Sequence, residues 1–404
     1  MEPTRRVLRP RPPPKGSNKN GAPPNNPDLH PSLPAINQTS CFLFTIFPPE
    51  IRNRIYTFSL ESEDTNDSQQ EGDNTTHSHL YRQNAFYFRP GYKQPKRIQT
   101  ALLQTCQQIY EEASLLPAAI NEHTFWFYRA PPHVKDASSP LGYFRKMTAK
   151  QRAQVRHIHL FTQQYFLEDN CWTRVWGGTW INDGPGFHDS RQRAAPYAIS
   201  PRKLTLTFRH TDWWFWENND PLGIDPFRPG RTRAHEMGRP IHCLRAHEAN
   251  RAWGNQFTLL PSLEELVIEF ETVMRKRDQL DAIVQWALSW KFPVNLEKSL
   301  YLVAEPASRS AYSWVGAKEG DLKRQPIERA IVPNPHVMPE EAVVSEEVVV
   351  PTVPVLRPFD AQATQGAGAS GGVAATFGGQ AGEDSNTEEF YVVFLTWKRQ
   401  VVDQ

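Results

Sequence analysis

Apolar residues recur along this chain in two periods. The first is helical. Phe47-Pro48-Pro49-Glu50-Ile51-Arg52-Asn53-Arg54-Ile55-Tyr56 opens on a double proline, and Ile51, Ile55 and Phe58 then share one face. A second helical run spans Leu102–Ala113, and a third covers 275–291 through Leu280, Ile283, Val284, Ala287 and Leu288, stopped by Pro293. The second period is two. Val155–Phe161, Lys203–Phe208, Leu263–Phe270, Ser299–Ala304 and Phe390–Trp397 are rich in β-branched and aromatic residues and read as strands, with a shorter one at Thr124–Tyr128. A helix including Ile241, Leu244, His247, Glu248 and Arg251 precedes the third strand.

Strands alternating with helices predict an α/β fold with crossover connections and a largely parallel sheet. The last strand lies beyond a long polar stretch and is expected beside Ser299–Ala304, because an unpaired apolar strand invites aggregation. Leu260, Leu263, Leu266 and Ile268 follow the spacing of one leucine-rich-repeat rung, although no constant period relates the other strands. The sheet is therefore expected to be irregular and only repeat-like.

Between these segments lie stretches that cannot bury enough apolar surface to offset ordering entropy. Residues 1–39 are Pro-rich and basic, 61–79 carry acids without Lys or Arg, and 317–388 are of low complexity. All three are expected to be disordered. That leaves a helical element over 40–130, interrupted by 61–79, and a sheet region over 150–316 plus 389–400. The basic cluster Arg5–Lys15 reads as a nuclear-import signal, as a polyproline ligand, or as a solvated tail.

Composition narrows the function classes. The net charge is +1, from 45 basic and 44 acidic residues, which offers no global field for nucleic acid or an anionic membrane. No apolar run is long enough to span a bilayer, and Met1–Arg6 lacks the apolar core expected of a signal peptide. Cys41, Cys106, Cys171 and Cys243 are widely spaced and read as reduced thiols, which places the chain in cytoplasm or nucleus.

Candidate chemistry is sparse. Gly366, Gly368 and Gly371 match a dinucleotide fingerprint in letters, but no strand precedes them and no helix follows, so no cofactor is expected. Cys243 and His247 stand at i, i+4 near His235 and His242, yet nothing completes a zinc motif and no metal is expected. Glu264, Glu265, Glu269 and Glu271 alternate around one strand and read as its solvent face. Arg228, Arg231, Arg233 and Arg239 cluster in a loop that is either phosphate-binding or simply solvated. No catalytic constellation emerges, and the chain reads as a non-enzyme. Trp213, Trp214, Trp216 and Trp176 are target-binding candidates, since tryptophans beyond strand C-termini make contact hot spots.

The helical motifs resemble a known group. Phe47–Tyr56, Leu103–Ala113 with Asn121-Glu122-His123-Thr124-Phe125, and the stretch Leu260–Thr272 are similar to F-box-like proteins of fungi. The resemblance implies a substrate-recruiting subunit of a cullin-type ubiquitin ligase. Pro49, Glu50, Ile51, Ile55 and Phe58 would dock the ligase adaptor, and the sheet and its Trp-rich loops would present a substrate protein. In the alternative reading, a structural or scaffold protein, the same apolar face packs into the chain's own core.

Overall fold

The computed structural model describes residues 41–64, 85, 87–92, 96–127, 130–131, 140–169, 199–240, 251–318, 356–359 and 387–402. The expectations for 1–39, Trp176, the helix around 241–250 and the Gly366–Gly371 match lie outside these residues, as does most of 61–79 and 317–388.

The chain first builds a helical element from α1 (Phe42–Thr45), α2 (Pro49–Leu60), α3 (Gln107–Ala113) and α4 (Leu116–Ile120). Pro48 caps α2 with an extended backbone, and Pro49 occupies the first helical position, where its missing N–H costs nothing. The predicted helix over Leu102–Ala113 is split. Thr100–Gln104 forms a 3₁₀ turn, and Cys106 then starts α3 by accepting from the Ile109 N–H at 3.5 Å. Tyr56, Leu60, Ile109 and Ala113 form this element's own small core. Between α2 and α3 lies a two-stranded ribbon of β1 (Ser62–Asp64) and β2 (Lys96–Ile98). It corrects the start of the expected disordered tract: Glu63 stands opposite Arg97 and Asp64 opposite Lys96, so acidic positions oppose basic ones.

The main sheet follows. β3 (Glu122–Trp126), β4 (His157–Phe161), β5 (Lys203–Phe208) and β6 (Glu265–Val273) run parallel, side by side in chain order. Helices α5 (Pro140–Arg145) and α6 (Ala149–Gln154) lie in the first crossover and α7 (Gln164–Glu168) in the second. Thr148 and Gln151 close a capping box at the start of α6. After β6 comes α8 (Arg277–Ala287), whose Leu280, Ile283, Val284 and Ala287 are buried at helical spacing.

β7 (Lys291–Asn295), β8 (Leu300–Ala304), β9 (Ser310–Ala317), β10 (Arg357–Pro358) and β11 (Thr387–Val401) complete the sheet in antiparallel pairing. Pro293 does not stop a helix. It sits in β7, which pairs with β8 alone, as suits a residue without an N–H. β11 lies beside β8 as expected, with Trp397 opposite Ala304, and also pairs with β6 and β9. The sheet is thus parallel in one half and antiparallel in the other. Gly316 in β9 has a steric reason: a Cβ there would lie 2.3 Å from the Trp314 ring.

One face of the sheet is apolar. Phe125, Leu160, Leu206, Ile268 and Leu395 share it with Leu260, Leu263, Leu266 and the buried residues of α8. The other face carries Glu122, His157, His159, Thr205, Thr207, Glu269 and Glu271. Phe88–Tyr92 contribute Arg89 and Tyr92 to that face.

Candidate functional site

The motif residues of the helical element divide into two sets. One set holds the element together. Arg52 makes a bidentate pair with Glu112, Nε to Oε2 at 3.0 Å and Nη2 to Oε1 at 2.9 Å. Tyr56 donates its hydroxyl to Glu112 Oε2 at 2.9 Å, and Gln108 donates to Oε1 at 3.2 Å. Arg52 also donates Nη1 to the Phe47 carbonyl, tying the entry of α2 to α3. The Arg52 bond above all, helped by Tyr56 and Gln108, holds the Glu112 carboxyl below its usual range. Burial together with the Glu112 bond pushes the Tyr56 phenol up to about 12. Asn121 is buried and donates to the carbonyls of Leu60 at 2.9 Å and Pro117 at 3.0 Å, while its Oδ1 accepts from the Ser62 N–H at 2.6 Å. His123 lies 3.0 Å from the Ala118 carbonyl and 2.8 Å from the Tyr143 hydroxyl.

The other set faces outward. Phe42 is 74% exposed, Ile51 44% and Phe58 62%, and Ile46 and Phe47 are exposed as well. Pro49 and Glu50 are exposed and Ile55 is half-buried. The buried face of α2 is instead Tyr56 and Leu60 with Arg52 beside them, one turn apart each. The predicted apolar face of Ile51, Ile55 and Phe58 is therefore left largely uncovered.

The tryptophan candidates behave differently. Trp213 and Trp216 are buried in the main core, which corrects the expectation that they are presented to a partner. Trp213 donates Nε1 to the Glu271 carbonyl at 2.8 Å. Trp214 is half-buried and donates Nε1 to Glu168 Oε2 at 2.5 Å. Phe215 is the residue this loop turns outward, with a left-handed φ of 49° and the Arg231 guanidinium 4.1 Å over its ring. In the arginine cluster, Arg231 pairs with Asp220 at 3.0 Å and Arg228 with Asp225 at 3.1 Å, so two of the proposed phosphate ligands are already neutralised. His235 is exposed; Cys243 and His247 lie outside the described residues.

Sequence reasoning missed the polar layer of the sheet. Glu271 is 2% exposed and Arg89 1%, which overturns the solvent-face reading of Glu269 and Glu271. Arg89 pairs with Glu269 at 3.0 Å and Glu271 at 3.4 Å. Trp314 Nε1 donates to Glu271 at 3.1 Å. Further along, the Tyr92 hydroxyl donates to Glu122 at 3.0 Å and lies 2.5 Å from His159 Nδ1, while His159 Nε2 meets Thr207 at 2.7 Å. Thr207 donates to Glu269 at 2.7 Å, joining the two groups.

Burial pulls His157 down to about 4, so it is neutral at pH 7. Burial alone would raise Glu122, but His159 above all, through its hydrogen bond, outweighs it and holds the carboxyl far below its usual range. Burial and Glu122 push the Tyr92 phenol well up. These contacts tie β3, β4 and the Arg89–Tyr92 segment together. The signal was present in the alternation His157-x-His159, Thr205-x-Thr207 and Glu269-x-Glu271, three polar pairs stepped by two residues from strand to strand, so that His159 stands beside Thr205 and Thr207 beside Glu269.

Comparison with known protein families, curated proteins and solved structures returns no match to this chain. No described helix is long and apolar enough to cross a membrane, and among the described residues no group of His, Cys, Asp or Glu is placed to hold a metal ion.

Proposed function

We propose that this chain is a protein-interaction module that works as an F-box-like substrate-recruiting subunit of a cullin-type ubiquitin ligase. One observation carries the reading. The helical element is locked internally by Arg52, Tyr56, Glu112 and Asn121, yet it leaves Phe42, Ile46, Phe47, Ile51 and Phe58 exposed. A large apolar side chain left in water forgoes about 1.5–3 kcal/mol that burial would return, so a cluster in so short a segment favours a partner. Pro49, Glu50, Ile51 and Phe58 with half-buried Ile55 form the adaptor side. The scaffold alternative, with this face in the core, has no matching observation, because Tyr56 and Leu60 fill that role.

Titration of the full chain with a purified ligase adaptor tests the reading. The wild type is expected to bind. Ile51→Asp is expected to lose at least about tenfold in affinity while keeping its melting temperature, because substitutions at exposed sites usually stay within about 0.5 kcal/mol. No binding by the wild type, or unfolding of Ile51→Asp, would overturn it.

A further inference from the structure

Two adjacent parallel strands end at one small cavity. β5 stops at Phe208 and is followed by His210; β6 stops at Val273 and is followed by Arg275 and Lys276, and all three basic residues line the cavity. β6 is also where the parallel half of the sheet meets the antiparallel half, through β11. Open α/β sheets bind ligands in this position, outside the carboxyl ends of parallel strands. Trp213, Trp216 and Leu222 supply an apolar wall from the main core. The volume is about 10 Å³, room for a single water-sized particle.

The polar groups around this space favour one sign of charge. His210 has its Nε2 buried with no hydrogen-bond partner. Its backbone N–H goes to Glu271 Oε1 at 3.3 Å and its Nδ1 lies 3.7 Å from the same oxygen, so that carboxylate serves the other side of the ring. Lys276 is buried and gives Nζ to the Asp220 carbonyl at 2.6 Å, a neutral acceptor. Exposed Arg275 pairs with Glu388. α8 begins at Arg277 without a side-chain cap, so the positive end of its dipole adds to the field of Lys276. Among the described residues no acidic side chain lines the cavity.

We propose that this cavity binds one monatomic anion, a halide of chloride size, held by His210 Nε2–H in the field of Lys276 and Arg275. The proposal goes beyond the ligase reading and does not rest on it.

Size and sign together select this class. A phosphate or a carboxylate group has several heavy atoms and exceeds a space for one particle. A metal cation would face Lys276 and Arg275 and meet no carboxylate in the lining. A water fits the space, but it gains nothing from the cations around it. A buried polar nitrogen without a partner is costly, and an acceptor in the cavity satisfies it.

The test compares thermal melting of the full chain in sodium chloride and in sodium gluconate at equal ionic strength, since gluconate is too large for the cavity. Chloride is expected to raise the melting temperature by about 2–4 °C and to saturate. His210→Phe keeps a ring against Phe390, whose centroid lies 4.6 Å from that of His210, but loses the nitrogen, and is expected to lose the chloride shift. Crystals of the wild type grown in bromide are expected to show an anomalous peak within hydrogen-bond reach of Nε2. Equal melting temperatures in the two salts, which is the outcome for a bound water, overturn the proposal. So does a shift that rises without saturating, or an unchanged chloride shift in a folded His210→Phe. Should that variant fail to fold, the bromide crystals decide alone, and a cavity without a peak overturns the site.

Discussion

Arg89→Met removes the cation of the buried layer while roughly keeping its volume. In the wild type, burial by itself would raise the Glu271 carboxyl, but Arg89 foremost and then His210 outweigh burial and hold it below its ordinary value. Without Arg89, Glu269 and Glu271 are left without the guanidinium that pairs with both. Breaking a buried pair from one side costs about 3–5 kcal/mol. The pH dependence follows from linkage. A carboxylate depressed in the folded state contributes stability above its unfolded value near 4.5 and loses it as pH falls through the folded value. In the variant only His210 and the Trp314 N–H still oppose burial, so Glu271 moves the other way and its ionisation opposes folding. The destabilisation is therefore largest at pH 7 and shrinks as pH falls towards 4.5. Urea unfolding followed by tryptophan fluorescence at pH 7, 6 and 5 measures it. A penalty below about 1 kcal/mol, or one of equal size at all three pH values, would refute the assignment of Arg89 as the counter-ion of this layer.

Other expectations concern Asn121 and the tryptophan loop. Asn121→Ala strips partners from the Leu60 and Pro117 carbonyls and the Ser62 N–H, and is expected to cost about 1–3 kcal/mol, with Ser62 exchanging its amide hydrogen faster. Burial pushes the Glu168 carboxyl up to about 7 despite bonds from Trp214 and Gln164. A raised carboxylate favours folding below its unfolded value near 4.5 and loses that contribution as pH rises through 7, on the order of 3 kcal/mol. The wild type should therefore lose stability between pH 5 and 8 through this group, whereas Glu168→Gln should lack that decline in a series of thermal melts.

The buried charges explain why part of the site could not be read from the chain. Glu269 and Glu271 alternate with Ile268 and Phe270, the pattern of a half-solvated strand. Whether the second face is wet depends on what lies over it, and here Arg89 and Tyr92 come from a segment far away in sequence. Trp213 and Trp216 pose the same problem in reverse. A run of tryptophans reads equally as a contact surface or as a core, and the turn after β5 sends those two inward while Phe215 is held out by a left-handed backbone.

Local chemistry alone determined several element types: the proline-started α2, the amphipathic α8 and strands β3 to β6, β8 and the centre of β11, because these follow from periodicity and backbone restriction within a few residues, whereas β7, β9 and β10 were not legible in that way. It also placed Ile51, Ile55 and Phe58 on one face of α2. Which face is buried was decided by tertiary structure. Glu112 is distant in sequence from Arg52 and Tyr56, and their clasp turns α2 so that Tyr56 and Leu60 go inside. The same holds for β11, whose three neighbours and antiparallel sense come from long-range pairing that no local pattern encodes.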